Sequence, residues 1–279
     1  MQLSAEIFTP GELKRIAAAV YQHCGINLHE GKQELIQARL TKLLRRSSFA
    51  SLSDYLDHAL ANPDSDEFSE LIDSLSTNLT SFFRESDHFD YLARAFLPQL
   101  LARRRAAGSN CIRGWSAASS TGEEPYSIAM TVQHALEAAG GTWDALILAT
   151  DISTRVLKIA REGSYDPQRV EPVPPQFKTK YLTKARGPHP FVQVVPKIRS
   201  MVRFAHLNLL EPWPFVGPID FIFCRNVMIY FDKPTQQKLI TRLWEILGPG
   251  GMLFTGHSES LTGIAHRFRY VQPTIYQKT

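Results

Sequence analysis

Three clusters of polar residues in this chain sit beside short apolar runs and have the side chains to bind a charged organic ligand. The first is Ser116-Ala-Ala-Ser-Ser-Thr-Gly-Glu-Glu-Pro. Its small residues let a backbone approach a ligand closely. It has one glycine, Gly122, and no Gly-Lys-Ser/Thr ending, so it is not a phosphate loop. Glu123 and Glu124 suit an ammonium group better than a pyrophosphate; read more plainly, they favour a helix N-terminus. The second cluster is Asp151, directly after an apolar run. A carboxylate there accepts hydrogen bonds from ribose hydroxyls, or it caps the helix that follows, although Ser153 is also available as a cap. The third is Arg225-Asn226, after Phe221-Ile-Phe-Cys, with Tyr230 close behind.

Two weaker signals flank these. Asn208, in His206-Leu-Asn-Leu-Leu, carries an amide able to read an adenine edge, with Leu209 beside it to pack on the ring; alone it reads as a turn residue. Ser76-Thr-Asn-Leu-Thr-Ser-Phe-Phe-Arg-Glu is rich in donors. Asn78, Thr80 and Arg84 could form a lid there, with Arg84 pairing to a carboxylate; a linker at a helix cap is the simpler reading.

The elements that must hold these residues change character along the chain. Before about residue 84 the pattern is helical. Thr9, Pro10 and Glu12 form a capping box with proline at the first helical position, and Gly25 can end that helix. Further helices are expected over 30–46, 53–59 and 66–75. A longer helix starts near Ser86, carries Pro98 as a kink or break, and closes at Arg103–Gly108. Beyond it, apolar strands (111–115, 145–150, 202–205, 219–224, 251–255) alternate with helices (125–139, 153–162, 232–247), which implies a mainly parallel sheet covered on both faces. Strands 268–272 and 275–277 are too close for a helical crossover and should pair antiparallel. The proline-rich stretch 164–201 breaks the alternation, with short strands over 180–183 and 191–195. The expected organisation is an α/β protein: an N-terminal helical domain (1–84), a linker helix (85–108) and a Rossmann-like domain (109–279) with a small antiparallel β insertion at about 164–201. In such a sheet, ligands bind at the carboxyl ends of strands where the strand order reverses, which is where the three clusters fall.

Composition narrows the class. The 279 residues are 44% hydrophobic, enough for packed cores and too many for disorder. No stretch nears the roughly 18 apolar residues of a membrane span. Cys24, Cys111 and Cys224 are scattered without metal-ligand spacing, so buried thiols in a reducing, cytoplasmic compartment are expected, with no metal. The net charge of +4 is too mild to mark a nucleic-acid binder.

Taken together, Thr77-Asn-Leu-Thr-Ser-Phe-Phe-Arg, Trp115 through Ala129, Ala149-Thr-Asp-Ile, Asn208-Leu-Leu, Phe221 through Asp232 and Gly256-His-Ser-Glu-Ser resemble the chemotaxis receptor methyltransferases, the CheR family. They occur in the family's order and span most of the chain. The resemblance implies a Rossmann-like methyltransferase domain that uses S-adenosylmethionine and releases S-adenosylhomocysteine. It implies methyl ester formation on glutamates of receptor cytoplasmic signalling domains, with no nucleic-acid partner and no membrane insertion. It matches Asn78, Thr80, Arg84, Glu124, Asp151, Asn208, Leu209, Arg225 and Asn226 to cofactor contacts, and Arg84 and Tyr230 to the residues nearest the transferring methyl. His257 and Glu259 would support the site. A basic face formed by Arg39, Lys42 and Arg46 on one helix, near Lys32, would dock the acidic receptor. Some members hold a receptor C-terminal peptide with the inserted β-subdomain. Here the corresponding turn, Ala185-Arg-Gly-Pro-His-Pro, has one glycine and prolines on either side of His189, and so departs from that form. A methyltransferase acting on adenine amino groups would call for Asp/Asn-Pro-Pro-aromatic where this chain has Asn226-Val-Met-Ile. A non-catalytic scaffold that retains cofactor binding is the other alternative.

Overall fold

A computed structural model describes residues 9–28, 33–62, 65–76, 78–185 and 190–279. Four helices come first: α1 (Pro10–Cys24), α2 (Gln33–Leu44), α3 (Leu52–Ala61) and α4 (Asp66–Leu75). The Thr9 hydroxyl accepts from the Glu12 backbone while the Glu12 carboxylate accepts from the Thr9 N–H, the expected capping box. Ile16, Val20, Leu40, Tyr55, Leu56 and Leu71 close a core of their own. Gly25 ends α1 at φ 70°, and a Cβ there would meet Leu210 Cδ1 at 2.4 Å. Glycine is therefore needed both for the left-handed turn and for the close approach of the larger domain.

The linker helix does not break at its proline. α5 (Ser86–Tyr91) runs through a π-helical turn (Leu92–Phe96) into α6 (Leu97–Ala106). The wider turn lies just upstream of Pro98 and absorbs its missing donor without ending the helix. Leu92, Phe96, Leu97, Leu100 and Leu101 bury the helix against the sheet.

The sheet comprises β1 (Cys111–Ala117), β2 (Asp144–Asp151), β6 (Val202–His206), β7 (Ile219–Cys224), β8 (Leu247–Thr255), β9 (Arg269–Gln272) and β10 (Ile275–Gln277). Its order is β6-β2-β1-β7-β8-β10-β9, parallel as far as β8, with β10 antiparallel between β8 and β9. Along β7, Phe221 and Phe223 enter one core cluster while Ile222 and Cys224 enter the other, so both faces are covered. Helices α7 (Glu123–Ala139), α8 (Thr154–Glu162) and α11 (Lys233–Ile246) supply the crossovers, with Ser153 and Asp232 as the N-caps of the last two. β8 begins at Leu247, earlier than the expected 251, because α11 turns directly into extended backbone at Leu247.

The insertion is a three-stranded antiparallel sheet ordered β3 (Ser164–Tyr165), β5 (Val192–Val194), β4 (Leu182–Lys184). The expected strand at 180–183 is displaced. Lys180 and Tyr181 end a helix, α9 (Pro175–Tyr181), whose first residue is the proline that made the stretch look irregular. A short helix α10 (Pro196–Arg199) leads out. The turn at 186–189, like Lys32 and Thr77, lies outside the described residues.

Candidate active site

The strand order reverses between β1 and its two neighbours, β2 and β7. Ala117, Asp151 and Cys224 end these strands side by side, and a pocket opens beyond them. The loop after β1 holds left-handed backbone at Ala118 (φ 68°), Ser120 (φ 49°) and Gly122 (φ 98°). At Gly122 a Cβ would meet the Tyr165 hydroxyl at 2.8 Å and Ala160 Cβ at 3.0 Å. That kinked path presents backbone rather than side chains to the pocket.

Asp151 is buried, and its two oxygens accept the Ser120 and Ser153 backbone N–H groups at 2.8 and 2.9 Å. Burial raises its pKa, and those two N–H donors act against the rise. A carboxylate offers about four acceptor positions, so two remain for the hydroxyls of a ribose. The helix cap is Ser153, not Asp151.

Glu123 and Glu124 part company. Glu124 lines the pocket; its oxygens accept the Ser116 hydroxyl at 2.7 Å and Arg225 Nη1 at 2.9 Å. Burial raises its pKa against the pull of Arg225. Glu123 is also fully buried but points away, held by Arg169 of the insertion and by the Thr121 hydroxyl. The expectation that both carboxylates face a cationic ligand is thus corrected to Glu124 alone.

Arg225 is the hub. Its Nε and Nη2 reach Glu85 Oε2 at 3.3 and 2.8 Å, and Nη2 also donates to the Arg84 carbonyl. Its guanidinium lies 5.7 Å from the Phe89 ring centre and 5.8 Å from that of Phe223. Glu85 itself adopts φ 57°. Burial raises its pKa, but the charge and hydrogen bonds of Arg225 outweigh this and leave it lowered. The residue types alone gave Glu85 no role; its partner lies 140 positions away, and a left-handed glutamate before a helix leaves no mark in periodicity.

Asn226 is left-handed too (φ 59°). Glu259 fixes its loop: the carboxylate accepts the N–H groups of Asn226 (2.6 Å), Gly256 (2.7 Å) and Ile229 (3.1 Å). These bonds set the path that carries Tyr230 to the pocket wall. The Asn27 N–H bonds the Tyr230 carbonyl at 2.8 Å, so the end of α1 secures the same loop.

Asn78, Thr80 and Arg84 line the pocket on the segment that crosses from α4. The Ser120 hydroxyl donates to the Asn78 carbonyl at 2.9 Å, and Arg84 Nη1 donates to the Leu79 carbonyl at 2.9 Å. No carboxylate pairs with Arg84 among the described residues. Leu209 and Asn208 line the far end, beside Cys24 and Ile26 of the helical domain. The Asn208 amide hydrogens are already committed, to the His23 carbonyl (2.6 Å) and Glu211 (3.0 Å), and its oxygen accepts the Leu210 N–H. It shapes the wall as a turn residue and ties α1 down, with no amide donor left over for an adenine. The basic face is likewise divided. Lys42 and Arg46 are exposed, but Arg39 donates to the Leu75 and Ser76 carbonyls at the end of α4. Its fork complements that helix's negative end, so Arg39 is tied to its own domain while Lys42 and Arg46 face solvent.

A doubly wound sheet with one antiparallel strand, β10, next to its edge, a buried carboxylate at the end of β2 and a kinked loop after β1 fit a methyltransferase that uses S-adenosylmethionine. Comparison with known proteins agrees. Residues 78–277 match the family described as CheR methyltransferase, SAM binding domain, and residues 11–76 match its all-alpha domain. The chain belongs to the CheR methyltransferase family. It is 41% identical over 273 residues to chemotaxis protein methyltransferase 2 of Pseudomonas aeruginosa, covering 96% of this chain and 93% of that one. It is 43% identical over 265 residues to the chemotaxis protein methyltransferase of Escherichia coli, covering 94% and 89%.

Proposed function

We propose that this chain transfers the methyl group of S-adenosylmethionine to glutamate side-chain carboxylates of chemotaxis receptors, giving methyl esters and S-adenosylhomocysteine. The observation that carries the choice of a carboxylate is the inventory of the pocket wall. Among the described residues that line it there is no histidine, and its two carboxylates, Glu124 and Asp151, are already held by Arg225, Ser116, Ser120 and Ser153. A site without a free general base suits a nucleophile that is ionised on arrival, as a glutamate is at neutral pH.

The cofactor supplies an activated sulfonium methyl, so the protein's work is placement and desolvation. Asp151 would take the ribose hydroxyls, Glu124 the amino group, and Leu209 would pack against the base. Arg84 keeps guanidinium donors beyond the one given to Leu79 and stands at the pocket to receive a carboxylate. Tyr230 lines the same opening from the loop that Glu259 fixes. Lys42 and Arg46 would meet the acidic receptor surface. We place the reaction in the cytoplasm, where the three free cysteines stay reduced; no helix of the described residues is long and apolar enough to cross a membrane.

The test is incubation of the protein with radiolabelled S-adenosylmethionine and acidic receptor signalling fragments, followed by base. Label released as methanol, and lost in Arg84→Ala, is the expected result. Cofactor binding without base-labile label on the receptor would exclude the glutamate reading.

A further inference from the structure

Behind Arg225, on the side away from the pocket, Glu85, His88 and His257 converge. Each offers a donor atom, and the three atoms lie within 4.8 Å of one another. His88 is fully buried, on α5. Its Nε2 sits 2.7 Å from the Thr274 hydroxyl, and that hydroxyl gives its own hydrogen to the Pro273 carbonyl. The hydroxyl oxygen must therefore accept from Nε2–H. This fixes the tautomer and leaves Nδ1 as a bare lone pair.

That lone pair has no hydrogen-bond partner, and it faces Glu85 Oε2 at 3.6 Å. Arg225 already serves Glu85 Oε2, but the buried His88 nitrogen beside it faces that anion with no donor of its own, a gap that a cation bound to both would fill. His257 stands in edge contact with the His88 ring at 5.2 Å and is half exposed, which opens the cluster to solvent. Asp87, 3.1 Å from His257 Nε2, adds negative charge at the mouth. Glu85, Glu124 and Asp87 together outweigh the single charge of Arg225.

We infer that Glu85, His88 Nδ1 and His257 form a binding site for a late first-row divalent metal ion such as Zn2+. A carboxylate and two imidazoles are a donor set that such ions take, with solvent completing the shell. The Thr274 contact to the far nitrogen of His88 is the outer support that metal-binding histidines ordinarily have. Because Glu85 also orients Arg225, an ion here would draw that carboxylate away and loosen the grip on Glu124. Zinc would then slow methyl transfer; this consequence, unlike the binding itself, rests on the proposed function.

The experiment titrates chelator-stripped full-length protein with Zn2+ against a chromophoric chelator, and with Co2+ followed by its visible absorption. His257→Ala is the variant, since its half-exposed side chain can be removed with the fold checked by circular dichroism. One equivalent bound per chain, with affinity at least about tenfold lower in the variant and a weakened cobalt spectrum, is expected. No stoichiometric uptake by the wild type, or equal uptake by the variant, overturns the site. Zinc bound at His257 with transfer unchanged upholds the metal site and instead removes Glu85 from the cofactor machinery.

Discussion

Replacing Arg225 with methionine tests the centre of the site. The guanidinium is 1% exposed and is shared by Glu85, Glu124 and the Arg84 carbonyl. Methionine fills comparable volume but leaves two carboxylates buried without their cation. Removing one partner of a buried ion pair costs about 3–5 kcal/mol. At about 2–4 °C per kcal/mol for a domain of this size, the melting temperature should fall by roughly 6–20 °C at neutral pH. The deficit should shrink on acidification. In the wild type, Glu85 has a lowered pKa, so its contribution is fully present above the unfolded carboxylate range and is lost only as pH drops through the lower folded value. Between about pH 7.5 and 5.5 that contribution stays level. In the variant, burial acts on Glu85 and Glu124 without the pull of Arg225, their pKa values climb, and protonation in the same window relieves the buried charge. Thermal melts of both proteins across that window provide the check. A loss under about 1 kcal/mol, the size expected of an exposed pair, or a deficit that does not change with pH, would refute the claim that Arg225 neutralises two buried carboxylates.

Asp151→Asn removes the proposed ribose acceptor, and hydrogen bonds to a charged group are worth about 1.5–3 kcal/mol; calorimetry should show cofactor affinity falling roughly 10- to 100-fold. Gly256→Ala would push a Cβ to 2.6 Å from Asn226 Nδ2 and 2.7 Å from Glu259 Oε2. It should cost about 1–3 kcal/mol of stability, and kcat should drop as the Tyr230 loop shifts. Lys42→Glu with Arg46→Glu should raise KM for receptor fragments while leaving cofactor affinity unchanged, and the effect should fade as salt screens the contact; equal KM values at low salt would remove α2 as a docking face.

Local chemistry was open to reading from the sequence and long-range partnership was not. The Thr9 box, the Ser153 cap and the apolar strand at 219–224 follow from neighbours within a few residues, and all are present. The strand-end residues Asp151, Arg225 and Asn226 could be placed at the pocket because a parallel sheet puts its carboxyl ends on one side. Periodicity could not say which of Glu123 and Glu124 Arg169 would capture, because that choice is made by a residue 46 positions away. Nor could it show that the Asn208 amide is committed to the His23 carbonyl, or that Arg39 holds the end of α4. The helix over 175–181 was hidden by prolines that in fact start it.

Cys24 and Ile26 from the end of α1 and Ser76, Asn78, Thr80 and Arg84 from the crossing segment wall the same pocket as Asp151 and Arg225. One wall of the pocket at the sheet's carboxyl ends is therefore borrowed from outside the larger domain, and on the proposed function the cofactor would bind against it. By linkage, whatever energy the cofactor gains from that borrowed wall also holds the two domains together. On the proposed function, release of the cofactor would weaken that hold by the same energy.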